Sequence, residues 1–277
     1  MGRVIVCSPK QAETPYTFLN TKVEIYTYEE LCFYIYNNTV LISRSSLSDK
    51  LFEWIREEIG MPALADRLIG LANKTTFVQD LLVEILSAGD YYSMEEVKTY
   101  ASAWQKYRKL SAVQREKLKA DGYLGYRRFI RAAIIYDGII EQSASIQDRE
   151  FLGNVYHNRG VAAANNLDME DAKKFFLKAY ELNENPESLK GYFFVIAATE
   201  DITTLRNEVH KMGLSEMYFE DIMLEVGDSK EDVREMTIYA MLQRAIYNKL
   251  NKDMSDYNKR MDIILADLKD EFRDQIV

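Results

Sequence analysis

Two cysteines, four prolines and two histidines are spread over 277 residues, and each scarcity removes a class of protein. Cys7 and Cys32 cannot supply a disulfide scaffold and suit a reducing compartment, so both read as thiols. Four prolines and twelve glycines are too few for collagen or a low-complexity chain. His157 and His210 stand far apart, and no C-x-x-C, H-x-x-x-H or calcium-loop spacing occurs, so no metal and no other cofactor is expected. Also missing are G-x-x-x-x-G-K, G-x-G-x-x-G and G-x-S-x-G, which leaves phosphate-loop, dinucleotide and serine-hydrolase chemistry without an anchor. The acid pairs Glu29-Glu30, Glu57-Glu58 and Glu95-Glu96 are adjacent residues, which point in different directions on a helix. Cys7 and His157 have the chemistry of a nucleophile and a base, yet nothing in the sequence brings them together. The expectation is a protein without catalytic residues, not an enzyme.

Long hydrophobic runs are absent too. The longest uncharged stretch, Leu31 to Ser43, is too short to span a bilayer and is interrupted by Asn37 and Asn38, so no membrane is expected as a partner. The opening Met-Gly-Arg-Val-Ile-Val-Cys has too short an apolar run for a signal peptide and carries Val6 where a myristoylation signal has Ser or Thr, so the expected location is cytoplasmic.

Hydrophobic residues make up 47% and charged residues 29%, enough for one large or two ordinary domains with a substantial core. Thirty-five basic against 44 acidic residues give a net charge of −9, which argues against nucleic acid as a partner. The charge is unevenly placed: Lys106 to Arg131 holds nine basic and two acidic residues, whereas Glu216 to Val277 holds nine basic and fifteen acidic. Solvated helix faces account for this, and so does a docking surface for an acidic peptide.

The chain divides into an N-terminal α+β cap (1–45), a helical region (46–110), a repeat region (111–213) and C-terminal capping helices (214–277). In the cap, Arg3 to Cys7 and Lys22 to Tyr26 read as strands, and Thr39 to Ile42 as a third. Thr27 with Glu30 has the form of a capping box that opens a helix through Leu31, Tyr34 and Ile35. The cap's tyrosines Tyr16, Tyr26, Tyr28, Tyr34 and Tyr36 are expected to pack onto the helices behind rather than to bind a peptide. From Ser46 the apolar spacing is helical, with short helices through Leu51 and Ile55, Leu64 and Leu68, and Leu81 and Ile85, and a second capping box at Ser93 and Glu96.

At the centre, with Gly153 counted as the first of 34 positions, Tyr156 falls fourth, Gly160 eighth, Ala163 eleventh, Ala172 twentieth, Phe176 twenty-fourth and Ala179 twenty-seventh. The segment resembles the tetratricopeptide repeat (TPR) family, in which small residues let two antiparallel helices approach and large ones fill the space around them. Two departures stand out: Glu184 replaces the family's proline, and Arg159 takes a position that is usually apolar. Val113 to Ile146 fits the frame less well through Ala120, Tyr123, Ala132, Tyr136 and Ile139, and Ser188 to Ala198 with Ile202 to Met212 form a degenerate third unit. An ordinary helical bundle is the alternative. The whole chain is similar to bacterial repeat proteins of this family.

The resemblance implies a mainly α fold: a helical-repeat, TPR-like superhelix between the small N-terminal α+β cap and a C-terminal helical hairpin. It also implies a concave face that binds a protein or peptide. Carried over, the family's groove positions fall on Asn154, His157, Asn158, Val161 and Ala164, and in the weaker unit on Gln114, Lys117, Leu118, Asp121 and Leu124. Asn158 sits where family members hold a peptide backbone, and Lys117 can hold a carboxylate. Beyond Lys230, two amphipathic stretches, from Val233 to Leu250 and from Tyr257 to Phe272, are expected to pair as a hairpin that closes the stack, or to associate with a second copy of the chain. The functional expectation is an adaptor for an unidentified, acidic protein or peptide; a homo-oligomeric structural component and a peptide-sensing regulator are the alternatives.

Overall fold

The computed structural model describes residues 11–75 and 77–276. Among them are one two-stranded sheet and fourteen α-helices, so the fold is mainly α. No helix of the described residues is long and apolar enough to cross a membrane. The chain forms two compact units, 1–126 and 127–277, and the division falls within the segment expected to hold the repeats.

In the first unit, β1 (Tyr16–Phe18) pairs antiparallel with β2 (Val23–Ile25) in the register Tyr16 to Ile25 and Phe18 to Val23. The second strand is the expected one; the strand expected at Arg3 to Cys7 lies outside the described residues. The third expected strand does not form, because Asn38 closes α1 (Tyr28–Asn37) and the chain keeps coiling through a 3-10 turn, Thr39–Leu41. The Asn38 carbonyl accepts from Leu41 N at 2.9 Å, and the Leu41 carbonyl accepts from the Asn20 side chain at 2.8 Å. The Thr27 capping box is present, with both of its reciprocal bonds.

Helices α2 (Asp49–Glu57), α3 (Pro62–Ala72), α4 (Val78–Ser87), α5 (Met94–Lys109) and α6 (Ala112–Gly125) follow. Leu31, Ile35, Leu51, Phe52, Ile55, Leu68, Leu81 and Ile85 are buried together, as their spacing of three and four predicts. Four of the five tyrosines, Tyr16, Tyr28, Tyr34 and Tyr36, pack inward, with Phe18 stacked on Tyr34 at 4.0 Å between centroids, Tyr36 on Tyr92 at 4.3 Å, and the Tyr28 hydroxyl donating to the Ile85 carbonyl; Tyr26 instead donates to the Glu24 carboxylate at an exposed site, 2.9 Å away. Ser93 and Ser111 both carry capping boxes, with Glu96 and Gln114 as third residues.

In the second unit, α7 (Phe129–Ile140) is followed by α8 (Arg149–Asn165), α9 (Met169–Asn183), α10 (Pro186–Thr199), α11 (Ile202–Lys211), α12 (Glu216–Glu235), α13 (Thr237–Leu250) and α14 (Met254–Ile276). Asp148, Asp168, Asn185, Asp201 and Ser215 each cap the following helix by accepting a backbone N–H. Helices α8 and α9 are antiparallel: Gly153 lies against Asn183 and Gly160 against Phe176. Phe176 also meets Gly191 of α10, so one ring lies against the backbones of two helices.

Both departures from the repeat pattern have local causes. Glu184 takes a left-handed backbone, φ 52°, closing α9 before Asn185 and Pro186 open α10. Arg159 donates to both carboxylate oxygens of Asp137 on α7, at 2.7 and 3.2 Å, while its guanidinium covers the Phe175 ring at 4.6 Å. An arginine paired and stacked in this way fills an apolar position without an unmet charge.

The C-terminal hairpin forms, with Asn248 bonded to Asp256 across its turn and Ala245 and Ile264 buried. Its first helix begins later than the apolar spacing suggests. Val233 belongs to α12, and Met236 turns to an extended backbone (ψ 137°) before α13 starts. No glycine or proline marks that break.

Candidate functional site

The residues expected to line a groove divide between the two units. On α6, Gln114 completes the Ser111 capping box, and the Lys117 ammonium pairs with Asp121 one turn on, at 2.7 Å. On α8, Asn154, His157, Asn158 and Val161 are each half-buried. The Asn154 carbonyl oxygen accepts from the Asn183 amide at 3.2 Å, and His157 Nδ1 shares a hydrogen bond with the fully buried Ser188 hydroxyl at 3.0 Å. The His157 ring also meets Phe176 edge-on, and Val161 packs against the apolar core that runs from α8 to α12. Asn154 and His157 thus tie α8 to α9 and to α10.

The basic stretch is also partly engaged. Arg115 donates to the Leu110 carbonyl, the Arg108 guanidinium lies 5.5 Å from the Phe77 ring centre, and Arg128 is only 6% exposed. Arg128, although within the basic stretch, therefore adds no exposed charge to it.

The second unit contains a pocket that the sequence does not announce. Its volume is about 490 Å³, and its walls are Phe194, Ala197 and Ala198 of α10, Val226, Ser229, Lys230, Val233 and Arg234 of α12, and Tyr239 of α13. That size lies within the range of small-molecule sites. Val226, Lys230, Val233 and Arg234 are spaced i, i+4, i+7 and i+8, which places them on one face of α12. Asp228, Glu231, Asp232 and Glu235 fall on the opposite face of the same helix. Glu225, at the margin, is occupied by Lys190 at 2.6 Å. Neither Lys230 nor Arg234 makes an ion pair or hydrogen bond among the described residues. The pocket is thus apolar with two uncommitted cations at its edge.

A second surface belongs to the hairpin. Ile238, Leu242, Ile246 and Leu250 follow one another at four-residue intervals along α13, and Leu265, Leu268 and Phe272 share a face of α14; all seven are exposed. So many large apolar side chains exposed on one helix pair exceed the scattered exposed apolar residues of an ordinary surface.

The described titratable groups furthest from their ordinary state lie in the first unit's core. Burial pushes the Cys32 thiol up to about 12 and the Tyr100 hydroxyl up to about 12, and it raises Tyr28 and Tyr34 further. A thiol so raised is a poor nucleophile at neutral pH. No cluster of three or more His, Cys, Asp or Glu side chains able to hold a metal occurs among the described residues. No protein-family model, no curated protein and no solved structure matches this chain.

Proposed function

We propose that this chain is a non-catalytic, cytoplasmic protein-interaction module of helical-repeat type, with α8 to α11 stacked in the manner of the tetratricopeptide family. It holds a protein partner on the exposed apolar strip of the α13–α14 hairpin. The observation that carries this reading is the strip itself: seven large apolar side chains face water on two adjacent helices. The antiparallel pairing of α8 with α9, and Phe176 seated on Gly160 and Gly191, support the repeat-like stacking. The paired Lys117 and the interhelical bonds of Asn154 and His157 favour the hairpin over the groove positions, because those side chains already serve the fold.

The test is affinity capture from an extract of the cells that make the protein, using wild type, Leu242→Glu with Leu268→Glu, and Asn158→Ala. Loss of the captured protein with the hairpin variant and its retention with Asn158→Ala is the expected result. The reverse pattern moves the interaction to the groove face of α8. The hairpin also carries charges of both signs, Arg244 and Lys249 on α13 and Asp262 and Asp267 on α14, which suits pairing with a second copy of itself. Sedimentation across a concentration range distinguishes this homo-oligomeric reading from capture of a different protein.

A further inference from the structure

The sorting of charge on α12 says more than that the pocket is open. Four acids project from one side of the helix's last three turns, and the only two basic residues there, Lys230 and Arg234, project from the other, beside Val226 and Val233. A face that merely served solubility would mix the signs, since i, i+4 pairs of opposite charge are mutually stabilising. Here Lys230 has no acid three or four residues away, and Arg234, with Glu231 three residues before it, forms no ion pair among the described residues; both line an apolar cavity walled by Phe194, Ala197 and Tyr239.

We propose that this pocket binds an apolar carboxylate, a single-chain amphiphile whose tail lies against Phe194, Ala197, Val226 and Val233 and whose head is held between Lys230 and Arg234. Charge complementarity selects the head group, because a guanidinium and an ammonium one turn apart can each donate a charge-assisted hydrogen bond to one carboxylate. The apolar walls select the tail, since burying it removes hydrocarbon from water. The inference does not rest on the hairpin reading, since the pocket takes only Tyr239 from the hairpin.

The experiment is isothermal titration of the full chain with decanoate, decanol and decyltrimethylammonium, all below their micellar concentrations. Decanoate is expected to bind saturably at one per chain and to weaken as salt rises, while the cationic amphiphile binds at least about tenfold more weakly. Lys230→Gln with Arg234→Gln lowers decanoate affinity about tenfold or more and leaves decanol unchanged, with the helical circular dichroism and the melting temperature as in wild type. Ala197→Trp, which fills the pocket, abolishes binding of decanoate. Equal affinity for all three amphiphiles overturns the proposal, as does a decanoate affinity that survives both variants. If decanoate does not bind and the double Gln variant instead loses a captured protein, the pocket is a docking site for an acidic peptide and the carboxylate proposal fails.

Discussion

The Phe176 ring of α9 rests on the bare backbone of Gly160 of α8: a Cβ at that position would stand 2.9 Å from the ring's Cδ1. A Cβ at Gly191 of α10 would also meet that ring, 2.9 Å from its Cδ1 and Cε1. Three helices thus meet at one side chain, whose Cδ1–Cε1 edge lies against two glycines.

Gly160→Leu is expected to destabilise the second unit by roughly 1–3 kcal/mol or more, through overpacking. Gly160→Ala gains about 1 kcal/mol of helix propensity and loses it again to the overlap with Phe176. Thermal unfolding of Gly160→Ala in the Phe176→Leu background checks the mechanism. There the alanine should become stabilising, because the rigid ring is gone.

Arg159→Met removes two hydrogen bonds to Asp137 and a cation over Phe175, from a side chain only 12% exposed. A loss of about 1–2 kcal/mol is expected, since the half-exposed Asp137 can turn to water instead. A double-mutant cycle with Asp137→Asn measures it, and a coupling near zero contradicts the pairing.

Leu167, between α8 and α9, has φ 62° and is 79% exposed, so its side chain contributes strain and almost no burial. Leu167→Gly relieves the left-handed penalty at some cost in chain entropy, with a net gain of about 0.5–1 kcal/mol. A higher melting temperature is the expected readout.

Alkaline pH should destabilise the first unit. Cys32 and Tyr100 ionise near their ordinary values of 9.0 and 10.0 once unfolded but are pushed up to about 12 by burial when folded. The folded state therefore binds more protons than the unfolded one above about pH 9. Stability is fully present below that pH and falls as pH rises toward 12. Melting temperatures from pH 7 to 11 check this, and Cys32→Ala should delay the onset.

Much of the architecture could be read from local signals because those signals act over one or two turns. Thr27 with Glu30 and Ser93 with Glu96 cap helices wherever they lie, and Leu51, Trp54 and Ile55 fall on one face by spacing alone. Thr39 to Ile42 did not behave this way. Its β-branched residues suit a strand, but the bonds from Asn20 to Leu41 and from Leu41 to Asn38 coil it, and the first of these comes from a distant turn. The break at Met236 and the left-handed turn at Glu184 have no glycine to signal them. Similarly, the pocket's α12 face was present in the sequence as Val226, Lys230, Val233 and Arg234, but the α10 wall opposite it was not.

By itself, then, the sequence determined the helical content and most helix starts, since each depends on residue type and periodicity within a short stretch, whereas the close approach at Gly160 was implied by the resemblance to the repeat family. Only the tertiary structure decided that His157 and Asn154 would be drawn into bonds between helices and that Phe176 would be shared with Gly191. The same holds for Lys230 and Arg234 beside an apolar pocket. These outcomes depend on which helices become neighbours, and that is fixed by the packing of many side chains at once, a property no single stretch of sequence carries.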